Sequence, residues 1–428
     1  MLFRSVCTET NYFEGGYINY DTIWSGNVAV NGDVMIDGGV SLTIEPGTWI
    51  EFLGFYHIDC RGDIQALGTA TDSIVFLPND TNVGWNRLFY LQTDPANDSS
   101  RFSYCRFSYG KAVDNIEPTL KQGGAICIYQ FDKISITHCS FTNNSAVNYG
   151  GAIFSSGGEF SVKSSRFYNN EASDKGGGIY SQYCNPIIQN CIFEENNKNA
   201  LAFSDSSPYV LNNLIYKNRG FAALDFDYSS GVFINNTIVD NYVMGIYLLR
   251  DSNPQFKNTI IRGNDWEEVY LFYDSCDPDF YYCIIEGGTD DFGGNGAGAN
   301  FTGDFENCID AEPSFIGTGA HPYDLADDSP CINTGDPATT TAEAGSLDLA
   351  GELRIYQGRV DMGAYESRLF TEHIVGTSLE FDGIDDYVSI PTNSLYNTSA
   401  FTVAFWIKLN SPAKWSGIID KGRDSNTD

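Results

Sequence analysis

The sequence is poor in basic residues and in histidine. Its 428 residues include 24 Lys and Arg against 56 Asp and Glu, which gives a formal net charge of −32. A surface with this charge repels phosphate backbones and anionic membranes, so nucleic acid is not an expected partner, whereas cations or neutral glycans are compatible with it. The four histidines are His57, His138, His321 and His373. They are too few to place an acid, a base and an electrophile on neighbouring segments.

Long apolar runs and familiar catalytic motifs are also missing. No stretch approaches the roughly 20 apolar residues of a membrane span, and the opening residues 1–6 are too short and too polar for a signal peptide. We expect that both ends of the chain are cut. Nucleotide-binding loops, the nucleophile elbow, the His-Glu-x-x-His motif and EF-hand loops are absent from the sequence.

The sequence does contain a phrase that returns every 22 to 34 residues. The phrase is a small, thiol or apolar residue followed two positions later by an aromatic or β-branched residue, usually with Asn soon after. Its first positions are Cys105, Cys139, Ser165, Cys191, Leu214, Thr237, Thr259 and Cys283. A period this short, filled with strand formers and without a helical stripe, predicts a β-solenoid in which each coil stacks on its neighbours.

Several of the 11 cysteines share one position of this phrase. Equivalent side chains on adjacent coils lie about 4.8 Å apart, so we expect an inward ladder of thiols formed by Cys105, Cys139, Cys191 and Cys283. No CxxC pair and no zinc-like Cys/His spacing occurs. An oxidising exterior would allow one or two disulfides, for example between Cys276 and Cys308.

A second phrase marks a second strand of each coil. It reads Gly123-Gly-Ala-Ile126, Gly150-Gly-Ala-Ile153 and Gly177-Gly-Ile179, and it continues at Leu201, Leu224 and Ile246. The glycines permit a tight bend with positive φ. The recurring Asn of the Phe-x-x-Asn motif can stack into a side-chain amide ladder, and its members are Asn144, Asn170 and Asn196. Both features are interpreted as structural positions.

Together, the two phrases resemble the repeats of the polymorphic outer-membrane protein family. Residues 42–47 and 64–75 resemble the opening coils of secreted right-handed parallel β-helix proteins. These resemblances imply a right-handed parallel β-helix of the pectin lyase-like kind, acting as a surface adhesin or autotransporter passenger.

The repeat stops near Asp310 and a different pattern begins. Its motifs are Glu312-Pro-Ser-Phe315, Tyr323-Asp-Leu325, Ser329-Pro-Cys-Ile-Asn-Thr-Gly-Asp-Pro337, Asp348-Leu-Ala-Gly351, Arg354-Ile355 and Val360-Asp-Met-Gly-Ala-Tyr-Glu366. In this order they resemble the choice-of-anchor Q segment, which follows β-helix repeats in bacterial secreted proteins. We expect the segment to cap the solenoid, because the last coil exposes an apolar cross-section and open strand edges.

The C-terminal residues resemble the start of a laminin-G-like jelly roll, the concanavalin-type lectin sandwich. The matching segments are Ser378–Gly383, Asp386–Pro391, Phe401–Lys408 and Ile418–Gly422. The alternating apolar strand at Phe401–Lys408 needs a second sheet to bury it. We therefore expect this sandwich to be incomplete here.

A strip of side chains next to the second-strand anchors is the candidate ligand-binding site. Because side chains alternate across a strand, the residues one and three positions after each inward anchor face outward. The candidate residues on this strip are Tyr129, Phe154, Tyr180, Asp225, Asp227 and Tyr247. Aromatic faces stack on sugar rings and carboxylates accept sugar hydroxyls, so the strip predicts binding of a polysaccharide or a glycoprotein glycan. The alternative is ordinary cross-strand packing of aromatic residues.

Asp225 and Asp227 also suggest a catalytic alternative. They lie two residues apart on one strand, which places their carboxyl groups about 6 to 7 Å apart, near the separation used by inverting glycosidases. The further Asp, His and Arg-x-Lys motifs of β-helix polygalacturonases are not found. A lyase would need Arg or Lys beside a calcium-binding acidic group, for which Arg219 or Arg250 with Asp251 is an unspecific match. No metal site can be named from the sequence, which neither assigns calcium as a cofactor nor excludes it.

The sequence thus predicts an all-β protein. It has an N-terminal segment or cap at 1–21, a right-handed parallel β-helix at 22–305, a choice-of-anchor Q-like cap at 306–367 and the start of an antiparallel β-sandwich at 377–428. We expect a monomer, secreted or on the bacterial cell surface, that acts in adhesion or carbohydrate binding. The alternatives are a polysaccharide lyase or glycoside hydrolase with its site near Asp225, and a structural stalk that displays the lectin-like domain.

Overall fold

The computed structural model describes residues 10–91, 93, 96–113, 121–356 and 358–367. The chain separates into two compact units, Met1–Leu369 and Phe370–Asp428. The predicted jelly roll at 377–428 falls in the second unit and lies outside the described residues.

The first unit is a solenoid of about 11 turns whose strands all pair in parallel in three long sheets. Sheet A contains β1 (Thr10–Phe13), β4 (Asn27–Val30), β7 (Trp49–Phe52), β10 (Ile74–Pro78), β13 (Cys105–Ser108), β17 (Ser140–Thr142), β21 (Arg166–Tyr168), β25 (Ile192–Glu194), β28 (Leu214–Tyr216), β31 (Thr237–Val239), β34 (Ile260–Arg262) and β37 (Ile284–Ile285). Sheet B contains β2 (Gly16–Ile18), β5 (Val34–Ile36), β8 (Ile58–Cys60), β11 (Leu88–Tyr90), β15 (Ile126–Tyr129), β19 (Ile153–Ser156), β23 (Ile179–Gln182), β26 (Leu201–Ser204), β29 (Ala222–Asp227), β32 (Met244–Leu249) and β35 (Val269–Leu271).

Sheet C and a short fourth sheet complete the coils. Sheet C contains β3 (Thr22–Trp24), β6 (Ser41–Ile44), β9 (Asp63–Leu67), β12 (Ser100–Ser103), β16 (Ile134–Thr137), β20 (Phe160–Lys163), β24 (Ile187–Gln189), β27 (Tyr209–Leu211), β30 (Val232–Ile234), β33 (Gln255–Lys257), β36 (Asp279–Tyr281) and β38 (Phe305–Glu306). The short sheet contains β14 (Lys111–Ala112), β18 (Ser145–Ala146) and β22 (Glu171–Ala172). The described helices are two 3₁₀ turns at Gly288–Asp291 and Gly298–Asn300 and α1 at Thr341–Ala344. The parallel ladders already include residues 10–18, ahead of residue 22, where the sequence places the first coil.

Aromatic rings stack inside the solenoid because equivalent residues of successive coils lie directly above one another. The column in sheet A consists of Phe76, Phe107, Phe141, Phe167 and Phe193. Their ring centroids are 4.7 to 4.9 Å apart and the rings are fully buried. This distance matches the spacing of adjacent strands, and each buried ring contributes about 1.5–3 kcal/mol to stability.

The predicted asparagine ladder is confirmed at the turn that follows sheet A, and it is longer than expected. Its members are Asn144, Asn170, Asn196, Asn218, Asn241 and Asn264. Along the ladder, the backbone N–H of each Asn donates to the Oδ1 of the Asn on the next coil at 2.9 to 3.1 Å. The side-chain Nδ2 donates to the same Oδ1 at 2.8 to 3.0 Å. The ladder therefore supplies partners for backbone groups that would otherwise be buried without one.

The thiol ladder is also confirmed, with one error of register. Cys105, Cys139, Cys191 and Cys283 are all buried in the interior, and the N–H of Cys105 lies 3.3 Å from the Sγ of Cys139. The assignment of Leu214 and Thr237 to the same position is wrong by one residue, because Leu214 pairs with Ile192 and with Thr237.

Asn213 and Asn236 occupy the thiol position instead. The N–H of Cys191 donates to Asn213 Oδ1 at 2.8 Å, and the N–H of Asn213 donates to Asn236 Oδ1 at 3.0 Å. A buried amide therefore fills the position that a thiol fills in earlier coils. All ten cysteines that the structure describes are free thiols, including Cys276 and Cys308.

The paired glycines have the two roles that a missing Cβ allows. Gly123 and Gly150 both have a φ of +66°, as the sequence predicts. The following Gly124 lies so close to the next coil that a Cβ would be 2.2 Å from the carbonyl oxygen of Gly151. In the third coil the residue with positive φ is Gly176, one position before the predicted phrase.

The segment at 310–367 contacts the flank of the solenoid, and the capping role that the sequence predicts for it stays a prediction. Its Tyr323, Leu325, Met362 and other apolar residues share one cluster with Leu214, Val239, Ile260 and Ile284. We call residues 310–367 the strap.

Asparagines at the corner between sheets C and A hold the strap by hydrogen bonds to its backbone. Asn190 Nδ2 donates to the carbonyl of Asp348 at 2.5 Å, Asn212 Nδ2 to that of Ala344 at 2.8 Å, and Asn235 Nδ2 to that of Asp361 at 2.8 Å. The strap thus runs across several coils.

Residues 286–301 cover interior side chains of the last coils. The many Gly and Asp residues of Gly287–Gly298 are typical of a surface loop, but Phe292 is 7% exposed and belongs to the interior core. Phe292 contacts Phe280, Phe301 and Phe305, with centroids 5.3 to 6.1 Å apart. Phe292 therefore anchors this segment in the interior of the solenoid.

Candidate functional site

The predicted strip exists as two aligned columns on sheet B. The first column is Cys127, Phe154, Tyr180, Ala202, Asp225 and Tyr247. The second is Tyr129, Ser156, Gln182, Ser204, Asp227 and Leu249. The aromatic members of the first column belong to two small clusters separate from the interior core, which agrees with their predicted outward direction.

The first half of the strip is covered by the protein itself. Phe154 is 2% exposed and Tyr180 is 6% exposed. Tyr149, from the turn between sheets A and B, stacks on Tyr180 with ring centroids 4.6 Å apart. Tyr129 packs against Phe154 at 5.3 Å and donates its hydroxyl hydrogen bond to Gln122. These rings therefore pack on one another, as in the cross-strand alternative.

Asp225 is buried and paired with a lysine from the covering turns. It is 2% exposed, and its Oδ1 lies 2.8 Å from the Nζ of Lys175. Burial raises the pKa of Asp225, and the nearby Lys175 ammonium opposes that shift. The backbone of Lys175 forms a bridge with that of Tyr149, so adjacent covering turns supply the stacking ring and the cation.

Asp227, two residues further along β29, is paired with a different cation. The guanidinium of Arg250 contacts Asp227 Oδ2 and lies over the ring of Tyr228 at 5.0 Å. Asp227 Oδ1 is buried and has no hydrogen-bond partner among the described residues. The two carboxylates therefore have separate cationic partners and different degrees of burial.

The strip continues one coil beyond Tyr247, the last residue that the sequence predicts for it. Tyr270 follows Tyr247 in register, and their rings stack with centroids 5.6 Å apart. Phe221 and Phe272 adjoin these rings at 4.6 to 6.5 Å, and Tyr273 adjoins Phe272 at 4.7 Å. We call these five residues the aromatic platform.

The aromatic platform differs from the first half of the strip in exposure. Phe221 is 39% exposed, Phe272 is 38% exposed and Tyr273 is 40% exposed. The sequence prediction omits Tyr270 and Phe272, although Val269 continues the anchor column of Ile246 and identifies both. Tyr273 lies four positions after the anchor, where the alternation of side chains gives no signal.

The arrangement favours binding over bond cleavage. A catalytic pair needs one carboxyl group that gives up a proton and one that accepts it, whereas Lys175 and Arg250 each neutralise one of the two carboxylates. In the part of the chain that the structure describes, no group of three or more His, Cys, Asp or Glu residues is placed to hold a metal ion.

Comparison with known proteins identifies the repeat. The family model described as the right handed beta helix region matches residues 95–228 and 150–309. No curated protein matches the chain. Among the described residues, no helix has the length and apolar character that crossing a membrane requires.

Proposed function

Because this chain belongs to the right-handed β-helix family, we propose that it binds carbohydrate at the aromatic platform and acts at the outside of the cell. The family suggests a surface or carbohydrate-related protein. The net charge of −32 and the resemblance to secreted adhesins support the proposed location.

The partial exposure of Phe272 and Tyr273 beside two fixed ion pairs carries the proposal. Sugar rings present apolar C–H faces and polar edges, and half-exposed rings offer the apolar surface without refolding. The ion pairs of Asp225 and Asp227 hold acceptors and donors for hydroxyl groups in place. Since each pair is neutral overall, the site fits a neutral glycan best.

A binding assay with variants that replace exposed aromatic residues by alanine tests the proposal. The protein is titrated with neutral and acidic polysaccharides, and retention is compared with that of the Phe272→Ala, Tyr273→Ala double variant. We expect a loss of affinity of tenfold or more for the double variant, because two exposed stacking surfaces are removed. The control is Tyr183→Ala, since Tyr183 is 60% exposed on a distant coil. Equal binding by the double variant and the wild type would contradict the proposal.

A second candidate function is cleavage of a polysaccharide near Asp225. It is favoured by the burial that raises the pKa of Asp225 beside the more accessible Asp227. The protein is incubated with the same polysaccharides and assayed for new reducing ends or unsaturated products. Products that disappear with Asp225→Asn would establish an enzyme, whereas retention without products supports binding alone.

A further inference from the structure

A polar groove runs across the turn between sheets A and B, and none of its lining residues belongs to the aromatic platform. Its volume is about 400 Å³. The side chains along it are Lys111, Ser145, Glu171, Asn197 and Arg219, one from each of five successive coils. We call this the turn groove. Four steps of about 4.8 Å give it a length of about 19 Å.

The asparagine ladder fixes the floor of the turn groove. Asn143, Asn169 and Glu195 directly precede ladder residues, and their φ angles are 51 to 56°. This left-handed conformation keeps the following amide buried in the ladder, while these three residues line the groove. Its polar groups are therefore positioned before any ligand arrives, which lowers the entropy lost on binding.

The centre of the turn groove carries two carboxylates, Glu171 and Glu195, and the basic residues of its lining lie towards the ends. Glu171 accepts a hydrogen bond from Asn197 Nδ2 at 3.1 Å, and Glu195 has no side-chain hydrogen bond or ion pair among the described residues. The basic groups lie at the ends, where Lys111 Nζ donates to the carbonyl of Asn82 at 2.6 Å and Arg219 lies over Tyr242 at 5.3 Å. The two central carboxylates are thus available to a ligand.

The remaining groups of the turn groove suit a ligand rich in hydroxyl groups. Amides and a hydroxyl both donate and accept hydrogen bonds, and Asn143, Ser145 and Asn169 provide them next to Glu171. In contrast to the aromatic platform, the groove lining is mainly polar. A straight, polar groove whose two carboxylates form no ion pair among the described residues fits an extended chain of sugars that carries positive charge.

We propose that the turn groove is a second binding site, specific for a short linear oligosaccharide that carries protonated amino groups. The ammonium groups form charge-assisted hydrogen bonds with Glu171 and Glu195, and the sugar hydroxyls bond to the amides around them. The site is independent of the carbohydrate site proposed at the aromatic platform.

Calorimetric titration with a glucosamine tetramer tests this proposal, with the N-acetylated tetramer as the uncharged comparison. We expect the charged tetramer to bind at least tenfold more tightly, and its affinity to fall as salt is raised. Glu171→Gln with Glu195→Gln should remove this preference, and Glu195→Gln alone should reduce it. The control is Glu159→Gln, since Glu159 is an exposed carboxylate on another turn.

Several outcomes would overturn the proposal. They are no binding of the charged tetramer, unchanged binding by the double glutamine variant, and equal binding of a lysine tetrapeptide. Loss of binding in the Phe272→Ala, Tyr273→Ala variant would assign the ligand to the aromatic platform instead. Because Glu171 and Glu195 line an open groove, the glutamine variants should unfold at the wild-type temperature, which a thermal melt checks.

Discussion

At the scale of single residues, a buried asparagine in this solenoid supplies hydrogen-bond partners to backbone groups and to the asparagines of the neighbouring coils. Asn196 accepts hydrogen bonds from the N–H and the Nδ2 of Asn170, and it donates to the carbonyl of Phe167 and to Asn218 Oδ1. Removal of the amide would leave the N–H of Asn170 without its acceptor and would take one hydrogen bond from each of the other three atoms, at a position that is fully buried. The ladder is thus part of the hydrogen-bonded frame of the coils.

The first prediction is that Asn196→Ala lowers the free energy of unfolding by about 3 kcal/mol, since each buried polar group left without a partner costs about 1–3 kcal/mol. Denaturant unfolding measures the change, and hydrogen exchange should show the loss centred on the neighbouring coils. The control is Asn197→Ala, whose side chain bonds to exposed Glu171 alone. Equal stabilities for the two variants would contradict a structural role for the ladder.

Residue patterns in the sequence predict the ladders and the strip, but they do not predict how far side chains from the turns bury the strip. The alternation of side chains placed Phe154, Tyr180 and Asp225 on the outer face correctly, because that alternation is a property of any strand. Their burial depends on Tyr149 and Lys175, which occupy equivalent positions of two adjacent turns but differ in residue type, so no pattern marks them. The ligand-binding role of the strip therefore stays a prediction.

At the scale of elements, the position of the strap is what the sequence predicts least. The order of its motifs predicts a segment distinct from the repeats, but motifs contain no information on where a non-repeating segment docks. Contacts with Asn190, Asn212 and Asn235 place it on the flank, over apolar residues of sheet A such as Leu214 and Ile260. The register error at Leu214 has a related cause, since an outward apolar residue covered by the strap looks like an inward one in sequence.

One ion pair organises the end of the strap. Arg354 and Glu366 are almost completely buried, with Arg354 Nη2 2.8 Å from Glu366 Oε2. Arg354 also donates to the carbonyls of Asp361 and Gly363, and Glu366 accepts from the N–H of Tyr356 and Asp361. Loss of the arginine would leave a carboxylate and several carbonyls buried without donors.

The second prediction is that Arg354→Leu loosens the strap and destabilises the protein by about 3–5 kcal/mol, the usual effect of removing one partner from a buried ion pair. Limited proteolysis should cut the strap of the variant first, while the coils resist for longer. Leu353→Ala is the control, because Leu353 is 63% exposed. Strap cleavage at the wild-type rate would show that the ion pair does not hold this segment.

At the scale of the whole molecule, the excess negative charge and the buried carboxyl groups both lower the stability of the folded protein as the pH rises. The net charge of −32 makes the folded chain repel itself at neutral pH. Burial raises the pKa of Glu268 to about 7 and that of Asp361 to about 6. Glu268 ends the asparagine ladder by accepting a hydrogen bond from the N–H of Asn264 at 3.1 Å. Ionisation of Glu268 therefore affects the last hydrogen bond of the ladder.

The third prediction is that the protein is more stable near pH 5 than near pH 8, which thermal unfolding across this range measures. The pKa of Glu268 is raised from 4.5 to about 7, so the folded state binds the proton more tightly than the unfolded chain does. This contribution is fully present below about pH 4.5 and is lost as the pH rises through about 7, a change of about 3 kcal/mol.

Glu268→Gln keeps the shape of the protonated side chain and cannot ionise. It should therefore reduce the difference in stability between pH 5 and pH 8 by about 3 kcal/mol, whereas Glu267→Gln on the same turn should leave it as in the wild type. If Glu268→Gln kept the full wild-type pH dependence, repulsion among surface carboxylates and other buried carboxyl groups such as Asp361 would account for the acid stability without the ladder. High salt separates the two effects, since it screens the surface charges and leaves a buried group largely unaffected.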